Sequence, residues 1–192
     1  MILAIIFFVA SVIYVSFCEY GLHRFIMHKP FWRFRYPFEA HAITHHGIFK
    51  SDKTYHLQDE ADKRTIRMAW WNGPALVAIG ALPAVFLGWL LGHWSILAMV
   101  AAVAALYYCT YEYIHWCMHL PLPKRRVIES WPIVGWIFYR LNGHHLLHHR
   151  YMGKNFNVVL PLADLCIGTL LLRSKISFPQ ARGISVPNVQ PR

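Results

Sequence analysis

Acidic residues are scarce in this chain: 9 Asp and Glu stand against 19 Lys and Arg among 192 residues. Charge of either sign occupies only 15% of positions, where a soluble domain carries about a quarter. That shortage argues against a surface wetted on all sides. Cysteine is sparse too, and Cys18, Cys109, Cys117 and Cys166 lie in apolar stretches with no Cys-x-x-Cys pair. A disulfide framework and a thiolate zinc site are thereby disfavoured, and the four read as small buried hydrophobes. No basic residue precedes the apolar run Met1–Phe17, as it would in a secretory leader.

What remains is 56% hydrophobic and 16% aromatic, the composition of a chain built for lipid. Three apolar stretches, at about 1–20, 69–91 and 95–118, are long enough to cross a bilayer at 1.5 Å per helical residue. Gly73-Pro74 predicts a helix start, Pro83 a kink, and Gly92-His93-Trp94 a tight turn closing a transmembrane hairpin. The predicted fold is an all-α integral membrane bundle of three spans, with interfacial helices and a histidine-rich cytosolic cap, forming one domain over 1–172. Trp131–Leu141 is too short to span and reads as interfacial. Val158–Leu172 is read as re-entrant, interfacial or a fourth span. The tail 173–192, rich in Pro, Ser and basic residues, is expected to be loosely ordered.

The excess of positive charge fits topology and anionic headgroups better than nucleic acid, because it sits beside apolar spans. The turn between the second and third spans has no Lys or Arg, whereas 29–68 and the chain after 120 hold many. The positive-inside rule then puts the N-terminus outside and the basic segments in the cytosol.

Thirteen histidines are the other anomaly. Ten fall into four groups that this topology brings to one membrane face. They are His23 and His28 (HRFIMH); His41, His45 and His46 (HAITHH); His115 and His119 (HWCMH); and His145, His148 and His149 (HHLLHH). Imidazole is the commonest protein ligand for iron, zinc, copper and nickel. Residues i and i+4 share a helix face, so His115 and His119 can reach a common ion. The i+5 pair His23 and His28 turns about 140° on an ordinary helix, and suits either two different ions or one ion across a distorted turn. Adjacent pairs such as His45-His46 and His148-His149 point apart, as two neighbouring ions require. Any one pair alone reads as structural, since a histidine at a helix end complements the dipole. Four groups beside hydrocarbon are costly unless ligated or hydrogen-bonded.

These motifs resemble the histidine boxes of the fatty acid hydroxylase / sterol desaturase superfamily of membrane di-iron oxygenases. The resemblance runs from about Glu19 to Thr169, and the closing stretch NFNVVLPLADLCIGT at 155–169 is similar to that family's ending. The second box carries three residues before its His-His where two are commoner, and Asn157 and Ala163 replace the family's frequent Gly and Trp. The resemblance implies two iron ions held by the ten histidines, O2 as oxidant, a lipid in the bilayer as substrate, and hydroxylation or desaturation of its acyl chain. No haem or ferredoxin-like domain is visible, so electrons are expected from a separate cytochrome-b-type or ferredoxin protein.

Spacing also suggests carboxylates that could orient the ligands. Glu19 lies four residues before His23 and Glu112 three before His115, and Asp164 is a third candidate. Glu112 also begins a Glu-x-x-His motif, but that motif's usual partner is missing. His56 and His144 lie near the groups without matching their spacing, and His93 falls on the other side. Rival readings are a carotenoid or sterol oxygenase on the same scaffold, and a metal transporter. A transporter would place its ligands near mid-membrane. Zinc suits imidazole as well as iron does.

Overall fold

The computed structural model describes residues 2–172, and the tail 173–192 lies outside the described residues. Helix α1 (Ile2–Leu22) is apolar along most of its length, with Glu19 its one charged residue, and continues into a π-helical segment, His23–Met27. Its 21 residues measure roughly 32 Å at 1.5 Å per residue, enough for the hydrocarbon core. The basic segment that follows is built from short pieces. Two three-residue α turns, α2 (Tyr36–Phe38) and α3 (His46–Ile48), flank a second π-helical segment at Glu39–His45. Two 3-10 turns then follow, each opened by an aspartate. Asp52 accepts from the amide of Thr54, and Asp59 from that of Ala61.

The hairpin is made by α4 (Asn72–Leu91) and α5 (Ser95–His119). Pro74 sits in the first turn of α4, where no intrahelical donor is lost. Pro83 is contained within the helix, which runs unbroken to Leu91. Gly92 ends it at φ +68, a left-handed conformation that glycine adopts without Cβ strain. At 25 residues, α5 is roughly 37 Å long by the same rise, so its last turns project beyond a 30 Å core. Those turns carry His115 and His119. Val15, Val103, Ala104 and Tyr107 lock α1 against α5, while Ile5, Phe8, Leu82, Phe86 and Leu106 remain exposed. In lipid, such a surface is the solvent-facing one. Among the described residues, three helices are thus long and apolar enough to cross a membrane: Ala4–Met27, Asn72–Leu91 and Ser95–His119.

Beyond α5 come α6 (Leu122–Ser130), α7 (Pro132–Arg150) and α8 (Leu162–Ile167). Here the structure sharpens two sequence expectations. The aromatic stretch Trp131–Leu141 and the histidine stretch after it are not separate pieces but one 19-residue helix, α7. Pro132 starts it, and apolar residues then continue into the histidines without a break. Of the three readings of Val158–Leu172, a fourth span is excluded, because its only helix has six residues. Pro161 and Gly168 bracket that helix. Met118, Phe138, Leu146 and Val158 form the core joining α5, α7 and the segment before α8, which docks the cap onto the spans.

Candidate metal centre

The ten histidines of the four sequence motifs come together at the cap end of the bundle, in two groups of five. One holds His23, His28, His41, His46 and His148; the other His45, His115, His119, His145 and His149. Within each group, one ligand atom per residue lies within 4.8 Å of every other. The adjacent pairs His45-His46 and His148-His149 are each split between the groups.

Helix type sorts the ligands. The first group contains two i+5 pairs, His23 with His28 and His41 with His46, and both ride on π-helical turns. The amide of His28 donates to the carbonyl of His23 at 3.1 Å, and that of His46 to the carbonyl of His41. A π turn brings residues five apart into line, which an α turn does not. The distorted turn, one of the two readings left open by the sequence, is therefore the one adopted. The second group contains two i+4 pairs on regular α-helix, His115 with His119 and His145 with His149. His148 and His45 complete the two sets.

The rings meet through Nε2. His23 and His41 face each other at 2.8 Å, His28 and His148 at 3.0 Å, and His41 and His46 at 3.2 Å. In the other group, His145 lies 3.2 Å from His119 and 3.0 Å from His149. The Nε2 atoms of His45 and His115 are buried with no hydrogen-bond partner. Unpartnered nitrogens in a dry site cost free energy, and a cation among the lone pairs removes that cost. A metal ion therefore fits the residues present.

In His23, His45, His119, His148 and His149 Nδ1 points outward to a backbone carbonyl, whereas Nδ1 of His46 and His145 is buried without a partner. His119 donates to Tyr55 at 2.8 Å, His148 to Lys154 at 2.7 Å, and His149 to Phe49 at 2.5 Å. His45 reaches Thr65 at 3.2 Å, and His23 bonds the carbonyl of Phe156. A proton held on Nδ1 leaves the Nε2 lone pair free to bind metal. Burial pushes the histidines outside the spans toward the neutral form, and neighbouring imidazoles add to the effect. His28 and His45 are lowered to about 3 and His148 to about 4, with His41, His145 and His149 well below the ordinary value.

The three candidate carboxylates accept their hydrogen bonds from groups other than the ten histidines. Glu19 accepts from the Tyr107 hydroxyl at 2.6 Å, the Val158 amide at 2.6 Å and Asn157 Nδ2 at 2.9 Å. It ties α1 to α5 and to the segment before α8, because its side chain leaves the helix on the side facing α5. Asp164 is fully buried and accepts from the amides of Phe156 and Asn157 and the hydroxyl of Thr169. Burial raises its carboxyl, but these bonds and His144 together hold it below the usual range. Asp164 thus fixes the strand of backbone whose Phe156 carbonyl receives His23, one step behind the ligand. Glu112 bonds Tyr108 and lines the cavities described below.

His144 is buried, with Nε2 3.5 Å from Asp164. His56 packs beside Tyr55 outside both groups, and His93 is exposed at the α4–α5 turn. Missed by sequence reasoning were Asn155 and Asn157. Asn155, at φ +56, binds the carbonyl of His144 and the backbone of Leu171. The signal for both was their place in the closing stretch at 155–169.

A cavity of about 80 Å³ opens between α1, α4 and α5, lined mainly by apolar side chains, with His23 at its cap end. A second, smaller one beside it is lined by His41, His45 and His115, hence by both groups. Met68, Tyr111 and Glu112 line both.

A family model for fatty acid hydroxylases matches residues 8–169. A dihydroceramide fatty acyl 2-hydroxylase from Arabidopsis thaliana is 28% identical over 163 residues, which cover 81% of this chain and 56% of that protein. The chain therefore spans little more than half the length of that relative. No solved structure matches it.

Proposed function

Since the chain belongs to the fatty acid hydroxylase family, we propose that it is a membrane oxygenase that hydroxylates the acyl chain of a lipid at a centre of two iron ions. The observation that carries this reading is the pair of adjacent five-histidine nests. Next to them lies a mainly apolar cavity that His23 helps to line and that runs into the spans. The nature of the relative, a fatty acyl 2-hydroxylase, supports an acyl lipid as substrate and hydroxylation as outcome.

Redox-active iron bound in the nests supplies what no side chain can: activation of O2 against an unactivated C–H bond. In the balance, one C–H bond, O2, two electrons and two protons yield an alcohol and water. The electrons come from a separate donor protein. Everything else falls to this chain's own residues. His23, His28, His41, His46 and His148 would hold one ion, and His45, His115, His119, His145 and His149 the other. Burial keeps the rings neutral, and backbone carbonyls aim those of His23, His45, His119, His148 and His149. The apolar walls between α1, α4 and α5 hold the tail of the lipid and exclude water. The distribution of Lys and Arg supports a centre on the cytosolic face with the N-terminus opposite.

The test is to express the protein in cells and compare their lipids by mass spectrometry with those of cells lacking it. A gain of one oxygen on an acyl chain, lost in His119→Ala, is the expected result. Unchanged lipids, with the protein present and metal-loaded and an electron donor supplied, would remove the reading.

A further inference from the structure

The apolar cavity has a floor. Its lining runs on the first span from Met27 through His23 down to Val15, and on α5 from Glu112 to Ala104. The α5 interval is eight residues, or roughly 12 Å of helix at 1.5 Å per residue. On α4 the last lining residue is Gly80. Past that level Ala84, Ile96 and Val100 pack together, with Tyr14 against them, and the space closes.

Gly80 is buried, yet a Cβ built on it would meet no atom within 4 Å. A buried position with open space before it is unusual in a close-packed interior. Gly73, two turns earlier on the same face, shows the contrast: a Cβ there would collide with the Tyr108 ring. Gly73 is small because α5 presses on it. Gly80 is small with nothing pressing on it, and the empty volume in front of it belongs to the cavity. At the opposite end, Glu112 lines both this cavity and the smaller one beside the histidines, with Glu19 on the facing helix about a turn below His23.

We propose that Gly80 is a specificity-determining residue, its missing side chain setting the depth to which an acyl tail descends and hence the length of chain accepted. The tail lies with its end at Val15, Gly80 and Ala104 and its polar end toward Glu112. This inference rests on the reading of the protein as an acyl-lipid oxygenase. A side chain at Gly80 shortens the cavity from below without touching a histidine, so it alters which chains fit and leaves metal binding unaltered. One methylene more or less in an apolar pocket is worth about 10-fold or more in selectivity.

The experiment uses the full chain purified in detergent with its metal, alongside membranes from the same cells. Both the acyl lipids that co-purify and the oxidised lipids in the membrane are measured by mass spectrometry. Wild type is compared with Gly80→Phe and with the smaller Gly80→Leu, which serves if the larger side chain prevents assembly. Ile79→Phe, at the adjacent lipid-exposed position, is the control. The expected result is a shift of about 10-fold toward shorter chains in both pools for the Gly80 variants, with bound metal equal to wild type and Ile79→Phe unshifted. An unaltered chain-length distribution in a metal-loaded Gly80 variant overturns the proposal, as does an equal shift in Ile79→Phe. Loss of metal in both Gly80 variants also overturns it, because the substitution would then act on the fold rather than on the cavity. A metal-loaded wild type that neither retains nor oxidises acyl lipid would instead overturn the functional reading on which it rests.

Discussion

His119 and Tyr55 hold each other's part of the chain in place: the ring of His119 donates from Nδ1 to the carbonyl of Tyr55 at 2.8 Å. The amide of Leu57 in turn donates to the carbonyl of His119 at 2.7 Å. A loop far away in sequence thus sets both the tautomer and the direction of a ring at the end of α5. The same device recurs at His148, His149, His45 and His23 with other carbonyls. Ring orientation here is a property of backbone geometry, and point substitutions of nearby carboxylates act on it only indirectly.

Removing a ring should empty its nest. His119→Ala and His148→Ala, one from each group, are expected to lower bound metal and abolish lipid oxidation, while the exposed His93→Ala leaves both unchanged. Metal analysis of the purified variants checks this, and equal metal in all three would contradict it.

Asp164→Ala removes the acceptor of two amides and one hydroxyl in a fully buried place. Stability should fall by about 3 kcal/mol or more, since bonds to a charged group are worth about 1.5–3 kcal/mol each. Metal affinity should fall roughly 10–100-fold, the usual cost of losing support behind a ligand. Asp164→Asn keeps the shape and should lose less on both counts. Thermal unfolding and metal titration in detergent give the two numbers.

Glu19 behaves differently, because it joins α1 to Tyr107, Asn157 and Val158 and meets no ligand. Glu19→Gln, whose amide nitrogen must face an N–H donor of Val158 or Asn157, should lose part of the stability, and Glu19→Ala about 3 kcal/mol or more, as at Asp164. Once folded, both should bind metal as wild type does. A selective loss of metal at unchanged unfolding temperature would restore the direct role that its spacing from His23 suggests.

The histidines outside the spans are held neutral in the folded apoprotein, with His28 and His45 lowered to about 3 and His148 to about 4. In the unfolded chain each takes up a proton near pH 6.5. Between those values the unfolded state binds more protons, so stability rises with pH across this window. The metal-free protein should therefore be most stable above pH 6.5 and lose stability steadily as pH falls toward 4. Melting curves of the apoprotein at pH 7.5, 6 and 5 test the sign.

The spans were legible in the sequence because 20 apolar residues in a row have few other uses. The histidines were legible as motifs, and the i+4 pairs followed from ordinary helix geometry. Which group each joined was not, because i+5 spacing such as that of His23 with His28 suits two separate ions as well as one ion across a distorted turn, and only the π-helical turns of the folded chain decide between them. What the three carboxylates hold was hidden for a related reason. Sharing a helix with a ligand says nothing about which way the side chain points, and Glu19 points at Tyr107. Backbone carbonyls carry no residue identity at all, so the groups that aim the rings are invisible until the chain is folded. The continuity of α7 was hidden by its change from apolar to histidine-rich composition at Asn142.

The most direct measurement is anomalous scattering at the iron absorption edge from crystals of the iron-loaded protein. Two peaks are predicted, one among His23, His28, His41, His46 and His148, the other among His45, His115, His119, His145 and His149. A single peak, or iron bound away from these rings, would contradict the account.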